Sequence, residues 1–152
     1  MKRILVSVLI VSCFMVNILC SCEKDEVGQS YKKYETSTTS KITKPTVSVS
    51  SAKANSAYDG WWVIAKVTTG GDDPSNVECY LEWSKFSKKQ TGSINYTNRD
   101  KMNVQSSSSK QVLFKKEHAG ISSGTYIYYR LVGKNSKYST TGAASYMVAT
   151  KY

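Results

Sequence analysis

The pattern of hydrophobic and polar positions changes at Pro45. From there onward, short β-branched and aromatic runs alternate with clusters of Gly, Ser, Asn and Asp. Runs of this length and spacing are typical of the strands and turns of an all-β sandwich. Residues 45–152 therefore predict one all-β domain of about 100 residues, and the sequence carries no long helical pattern, heptad or internal repeat.

Alternation with period two predicts which side chains face the core, because successive residues of a strand point to opposite faces. Lys66 and Thr68 mark the solvent face of one run, and Glu78 and Glu82 mark that of the next. The alternate residues are expected to be buried: Trp61, Val63, Ala65, Val67, Val77, Cys79, Leu81 and Trp83. The other predicted strands are an edge strand at 46–50, strands at 112–116 and at 125–134 with Leu131 inward, and a last strand near 144–150.

A long polar stretch runs from Ser84 to Lys110. It is predicted to be an exposed connection between strands, with a short hairpin around Tyr96. Its six cations are accompanied by a single acid, Asp100, so it is expected to be the main source of positive potential. The candidate residues for contact with an anionic polymer are Lys85, Lys88, Lys89 and Lys101.

The first residues have the order of a secretory signal. Lys2 and Arg3 precede an uncharged, mostly apolar run from Ile4 to Leu19, which is shorter than the roughly 20 residues of a spanning helix. The following junction, Leu19-Cys20-Ser21-Cys22, resembles a bacterial lipobox. The resemblance implies that residues 1–21 are removed and that Cys22 carries a diacylglycerol; the alternative is an ordinary cleaved signal with an unmodified Cys22.

Residues 22–44 are predicted to be a lipidated flexible tether, because they are charged and hydroxyl-rich without apolar periodicity. The cluster Glu23-Lys24-Asp25-Glu26 resembles the export signal of surface lipoproteins in Bacteroidetes-type bacteria. This resemblance implies an outer-membrane lipoprotein exposed on the cell surface, with the periplasmic face as the alternative. Cys13 and Cys20 leave with the signal, so Cys79 is expected to be the one free thiol of the mature chain.

The chain is basic, with a formal net charge of +10 that falls to +8 when Lys2 and Arg3 leave with the signal. A basic balance favours anionic partners such as acidic glycans or lipid headgroups. A surface kept soluble by its lysines is the alternative. No specific nucleic acid is expected as a partner.

The segment 118–136 resembles the E–F corner and F strand of fibronectin type III-like domains. The matching positions are Ile121 at the corner, Gly124-Thr125 in the turn, Tyr129-Arg130-Leu131 in the strand and Asn135-Ser136 at its exit. Ser123 replaces the usual proline, and Ile127 falls where the corner tyrosine normally lies, so the tyrosine-corner hydrogen bond is expected to be absent or supplied by Tyr126. The resemblance implies an immunoglobulin-like, fibronectin type III-like β-sandwich used for adhesion, recognition or spacing.

Few residues indicate catalysis or metal binding. His118 is the one histidine and is expected to be an exposed residue of the corner loop, whereas Cys79 is expected in the core, so a thiol–imidazole pair is not favoured. Asp72 and Asp73 offer oxygen ligands to calcium, although the turn they form requires these residue types for its geometry alone. Neither an enzyme nor a cofactor is expected.

Aromatic residues are plentiful, with 3 Trp, 11 Tyr and 3 Phe. Flat rings on a sheet face are typical of sugar-binding modules, and the outward candidates are Trp62, Tyr80, Tyr96 and Tyr128. The alternative is that these rings serve cross-strand packing. The sequence thus predicts a non-catalytic surface lipoprotein that binds glycan or protein; the alternative is a structural or spacer subunit that contacts another envelope protein.

Replacing Cys22 by Ala is expected to release the protein from the membrane, because a lipid and not a helix holds it. Acyl chains contribute about 0.8 kcal/mol per buried methylene, and a lipoprotein carries more than one chain. Detergent-phase partition of the unmutated and variant proteins measures this difference. A Cys22→Ala protein that still partitions into membranes contradicts the tether.

Overall fold

The structure is a computed structural model that describes residues 41–151. This range forms nine strands and two short 3₁₀ helices, at Ser56–Tyr58 and Pro74–Asn76. The strands are β1 (Val47–Asn55), β2 (Gly60–Thr68), β3 (Glu78–Phe86), β4 (Asn98–Lys101), β5 (Asn103–Ser107), β6 (Gln111–Ala119), β7 (Tyr126–Lys134), β8 (Ser139–Thr141) and β9 (Ser145–Val148). Within residues 41–151, no helix is both long and apolar enough to cross a bilayer.

The strands form two antiparallel sheets that pack as a sandwich, which confirms the predicted fold class. The first sheet has the order β1-β2-β6-β5 and the second the order β4-β3-β7-β8, with β9 also paired to β7. If β4 is left out and β1, β2, β3, β5, β6, β7 and β8 are lettered A to G, the first sheet has the order A-B-E-D and the second the order C-F-G, as in immunoglobulin-like sandwiches. Strand β4 is an additional strand that pairs with β3. Residues 47–50 of the run predicted at 46–50 lie in β1, which is an edge strand as predicted and continues to Asn55.

The core lies between the sheets, and the predicted phase of its strands is confirmed. Trp61 is 1% exposed, and the side chains of Val63, Cys79 and Leu81 are fully buried. Leu131 on β7 is buried as well. The other fully buried side chains of β2 and of its neighbour β6 are Ala65, Val67, Val112 and Phe114.

Trp83 lies at the margin of this core. Its ring is partly buried and meets Trp61 edge to face, with 5.0 Å between ring centroids. Its indole Nε1 donates a hydrogen bond to Oδ2 of Asp100. A buried indole N–H usually has such a partner, and Asp100 supplies it to Trp83, whereas the Nε1 of Trp61 has none among the described residues.

Asn135, at the exit of the segment that resembles a fibronectin F strand, ties three chain segments together. It is buried, and its Nδ2 donates to the carbonyl oxygens of Thr43 at 2.8 Å and Thr69 at 3.1 Å. Its Oδ1 accepts hydrogen bonds from the backbone N–H groups of Lys137 and Tyr138. A buried amide with all these bonds satisfied stabilises the end of the sandwich where the chain enters the domain.

The corner between β6 and β7 lacks the tyrosine hydrogen bond. Ile121 and Ile127 are both buried in the core, whereas the hydroxyl of Tyr126 donates no hydrogen bond within the described range. Of the two expected outcomes, the bond is therefore absent and is not supplied by Tyr126. The corner is held instead by Asp59, whose Oδ1 accepts from the N–H of Ile121 at 2.9 Å.

The prediction of one exposed connection from Ser84 to Lys110 is wrong. The stretch contains the end of β3 and the strands β4 and β5, and between these two strands Met102 is 2% exposed. The N–H of Met102 donates to the carbonyl of Cys79 at 2.9 Å, and the chain passes there from the second sheet to the first. The hairpin predicted around Tyr96 is also absent from the described residues, because Tyr96 lies in a segment without strand structure between β3 and β4.

His118 was predicted to be an exposed residue of the corner loop, and this prediction is wrong. The residue lies in β6, and its side chain is 18% exposed. Its ring stacks on Trp61, with 4.3 Å between ring centroids. Its Nε2 is 3.3 Å from Oδ2 of Asp100 but makes no hydrogen bond. Burial lowers the pKa of His118, so the ring is neutral at neutral pH and serves as a packing surface.

Leu131→Ala is expected to lower the free energy of unfolding by about 2–5 kcal/mol, because it leaves a cavity between the sheets. Val104, which is 61% exposed on β5, supplies the control, and Val104→Ala is expected to change stability by less than about 0.5 kcal/mol. Chemical denaturation of both variants measures the difference. A loss at Leu131 as small as that at Val104 would show that the assigned core face is wrong.

Candidate functional site

A groove on the outer face of the first sheet is centred on Trp62. The register pairs Lys53 of β1 with Trp62 of β2, and Trp62 with Glu117 of β6. Paired residues of antiparallel strands share a face, so the partly exposed indole lies between a cation and a carboxylate. We call this surface the Trp62 groove; its lining residues are Lys53, Asn55, Asp59, Gly60, Trp61, Trp62, Glu117, His118 and Ala119.

The depth of the Trp62 groove comes from the next row of the sheet. There the register pairs Asn55 with Gly60, and Gly60 with Ala119. Gly60 has no side chain and Ala119 has only a methyl group, so there is a depression beside the indole of Trp62. The resulting space is about 510 Å³, a volume typical of small-ligand sites.

Asp59 closes one end of the Trp62 groove in a backbone conformation that few residue types adopt. Its φ is 47°, in the left-handed region, where aspartate is among the more frequent non-glycine residues. Its carbonyl oxygen accepts from the N–H of Gly120 at 2.8 Å, and its Oδ1 accepts from Ile121. These two bonds fix the groove to the β6–β7 corner, and left-handed non-glycine residues cluster at ligand sites.

Asn55 is 7% exposed and lines the Trp62 groove. Its Oδ1 accepts from the N–H of Ala57 at 2.9 Å, which caps the first 3₁₀ helix. Its Nδ2 donates no hydrogen bond to any group of the described chain. A nearly buried amide donor is therefore left for a ligand or a water molecule.

Glu117 and Lys53 differ in their surroundings. The carboxylate of Glu117 pairs with Lys115 at 2.5 Å, and its side chain is 64% exposed. Lys53 is exposed and forms no ion pair within residues 41–151. The two sides of Trp62 thus present an unpaired ammonium group and a carboxylate that keeps free acceptor capacity.

The other three aromatic candidates lie on the outer face of the second sheet. Tyr80 is partly exposed, and its ring is covered by Arg99, with 4.7 Å to the ring centroid, and by Lys134 at 5.0 Å. Its hydroxyl donates to Glu78 at 2.9 Å, and this bond raises the pKa of Tyr80. Tyr80 therefore belongs to an ion-pair network and not to an open aromatic surface.

Tyr128 was predicted to face outward and to be available to a ligand, and the second half of that prediction is wrong. Its ring is only 7% exposed because the segment 87–97 packs across it. The hydroxyl of Tyr128 accepts from the N–H of Gln90 at 2.8 Å, and Tyr146 stacks on its ring with 5.2 Å between ring centroids. Tyr128 therefore anchors a loop.

Tyr96 has a similar structural role. Its ring lies 4.7 Å from the guanidinium of Arg130, and its hydroxyl is buried without a hydrogen-bond partner among the described residues. Arg130 and Arg99 both pair with Glu82. The loop residue Tyr96 thus covers a charged part of the second sheet, and its ring is partly exposed.

The four lysine candidates are all exposed, but two of them have partners. Lys85 donates to the carbonyl of Gly120 at 2.7 Å, and Lys101 pairs with Glu78, which lowers the pKa of Glu78. Lys88 and Lys89 form no ion pair within the described range. Of the four candidates, we therefore call Lys88 and Lys89 the free lysines, because neither forms an ion pair; the Nζ of Lys89 also lies 5.6 Å from the centroid of the Tyr146 ring.

The residues considered for chemistry are either buried or engaged in local hydrogen bonds. Cys79 is fully buried, and burial raises the pKa of its thiol to about 12, so no thiolate is present at neutral pH. Asp72 accepts from Asn76 at 3.0 Å and from the N–H of Ser136 at 2.7 Å, and these bonds lower its pKa. Asp73 accepts from Ser75. Among residues 41–151, no three His, Cys, Asp or Glu side chains converge as metal ligands would.

Sequence reasoning found Trp62 but missed the groove around it. Lys53, Asn55 and Asp59 lie in β1 and the turn just before β2, whereas Glu117 comes from β6, far along the chain. Their outward phase is readable from the sequence, but their alignment across β2 depends on the register. No model of a known protein family matches the chain, and a search of curated proteins found no match either.

Neutralising the two free lysines is expected to reduce retention on a heparin column without lowering the melting temperature. Exposed, unpaired charges attract anionic polymers at low salt but contribute little to stability. The variant Lys88→Gln/Lys89→Gln tests this, and Lys66→Gln/Lys137→Gln removes the same charge from other exposed positions as a control. Equal retention of both double variants would show that the segment 87–97 has no special affinity for anions.

Proposed function

We propose that this chain is a non-catalytic lipoprotein, anchored in the outer membrane through Cys22 and exposed on the cell surface, whose β-sandwich binds a polymeric ligand, either glycan or protein. The Trp62 groove is the observation that carries the binding part of this proposal. The lipobox resemblance and the predicted tether of residues 22–44 support the anchor. The lipobox lies outside the described residues, and of the tether only residues 41–44 are described. There the N–H of Thr43 donates to the carbonyl of Gly70 at 2.8 Å, so the last residues of the predicted tether are bonded to the domain.

The composition of the Trp62 groove supports binding rather than packing. The indole of Trp62 is on the solvent side of the sheet and therefore contributes nothing to the core between the sheets. Around it converge a cation, two carboxylates and the amide of Asn55, an arrangement of one apolar surface with a few placed polar groups that is common in ligand sites. Tyr80, Tyr96 and Tyr128 in contrast have partners within the domain.

The competing proposal, a spacer subunit of an envelope complex, assigns no ligand to the domain. The large hydrophobic residues exposed among residues 41–151 are Val49, Val104, Tyr138 and Tyr146, and a spacer would need such residues only where it meets its partner. The same groove then has no function. The two proposals therefore differ in the effect of changing Trp62.

Trp62→Ala is expected to abolish ligand binding by the lipidated mature chain while leaving its melting temperature nearly unchanged. The matched control is Tyr138→Ala, which removes another exposed aromatic ring far from the groove along the chain. Whole cells that display each protein are tested for protease sensitivity, and the purified proteins in detergent are tested on glycan and protein arrays. Protease-resistant display would contradict surface exposure, and binding that is equal in both variants would favour the spacer.

A further inference from the structure

We propose that the Trp62 groove binds an uncharged sugar unit of a glycan, an assignment that rests on the proposed binding function and names its ligand. A pyranose ring lies with one face on the indole of Trp62. Its hydroxyl groups donate to Asp59 and Glu117 and accept from Asn55 and Lys53.

The size of the Trp62 groove favours a small unit over a protein surface. Its volume of about 510 Å³ is in the range of small-ligand sites, which measure roughly 300–1,000 Å³. A stable protein interface covers roughly 800 Å² on each partner, far more than the two rows of side chains that form this groove.

The amide of Asn55 offers a donor to a ligand. The residue is 7% exposed, and its Oδ1 is already used by the N–H of Ala57. Its Nδ2 donates no hydrogen bond within residues 41–151, so this donor is bonded to water when the groove is empty. A ligand that displaces this water must supply an acceptor in its place, and a hydroxyl oxygen of a sugar is such an acceptor.

The charges around Trp62 favour a ligand without net charge. An anionic group would be brought beside Asp59 and Glu117, and a cationic group beside Lys53, so either charge meets repulsion on one side of the groove. A desolvated charge without a partner is costly. A polyol avoids this cost because each hydroxyl group both donates and accepts, and hydrogen bonds to the charged side chains are stronger than those between neutral groups.

The indole of Trp62 supplies the apolar contact. The face of an aromatic ring carries partial negative charge, and one face of a pyranose ring presents C–H groups with weak positive charge. Their contact removes apolar area from water on both sides and needs no charge on the ligand. The indole of Trp62 thus contacts the C–H face of a sugar ring, and the donors and acceptors beside it bind the hydroxyl groups of the sugar.

The free lysines Lys88 and Lys89 lie on a segment that packs against the second sheet, whereas the Trp62 groove lies on the first. Attraction of an anionic polymer by lysines falls as salt screens the charges, with a Debye length of about 8 Å at physiological ionic strength. Binding of a neutral sugar in the groove has no such dependence. Salt therefore separates the two modes of binding.

The experiment measures binding of the full mature chain, purified in detergent, to neutral glucan, mannan and galactan and to acidic heparin and polygalacturonate, at low and high salt. At least one neutral glycan is expected to bind equally at both salt concentrations. Trp62→Ala is expected to weaken this binding at least about tenfold, because the ring provides the largest apolar contact. Tyr138→Ala serves as the control and is expected to leave it unchanged.

A second pair of variants tests the role of the amide. Asn55→Asp keeps the oxygen that caps the 3₁₀ helix and removes the Nδ2 donor, so binding by the folded protein is expected to weaken about three- to tenfold. The carboxylate lies at a nearly buried position and is expected to lower the melting temperature, so affinity is measured well below that temperature. Asn103→Asp adds the same charge at an exposed position of β5 and is expected to have no effect. Full affinity of the Asn55→Asp variant for the neutral glycan would overturn the assignment.

The remaining outcomes separate this inference from the proposed function. Binding that depends on Trp62 but prefers acidic glycans, weakens with salt or is directed to a protein overturns the neutral-sugar assignment and leaves a binding function in place. Absence of any ligand whose binding depends on Trp62 overturns both proposals.

Discussion

Two adjacent tryptophans on opposite faces of one strand set the constraint on which the rest of the domain depends. Trp61 is buried between the sheets, and the period of two along β2 then places Trp62 on the solvent face. The strand is paired on both sides over its whole length, so a slip of one residue would bring Lys66 into the core. The register that closes the core therefore also aligns Lys53 and Glu117 on either side of Trp62.

Asp59, in the turn before β2, also contributes both to the fold and to the groove. Asp59 takes a left-handed conformation and binds the corner between β6 and β7 through both its carbonyl and its carboxylate. This corner lacks the tyrosine bond that is common in immunoglobulin-like sandwiches, and Asp59 holds the corner from another part of the chain. A residue that lines the groove thereby also stabilises the fold, so the shape of the groove does not rest on loop residues alone.

The sequence predicted the parts of the fold that depend on local alternation. The buried faces of β2 and β3 follow from the polar residues Lys66, Thr68, Glu78 and Glu82, and the structure confirms them. Strand β4 was missed because its one inward residue is Asp100, a charged side chain that faces Trp83 and His118. An inward carboxylate removes the apolar signal by which a short strand is recognised.

The site was predictable only in part, for a related reason. Trp62 could be assigned to the solvent face from its own strand, but Tyr128 has the same outward phase and is covered by the segment 87–97. Whether an outward ring is exposed depends on what packs over it, and that contact joins residues far apart in the chain. Tyr96 likewise lies in this segment, where no alternation indicates its environment.

The burial of Cys79 determines whether the folded domain can take part in thiol–disulfide exchange. Thiol–disulfide exchange proceeds through the thiolate and needs access to the sulfur, and in the folded domain Cys79 provides neither. If Cys22 is acylated and the two cysteines before it are removed, no sulfur of the mature, folded protein can enter exchange. In the folded state, the domain therefore keeps its one thiol out of reach of disulfide partners.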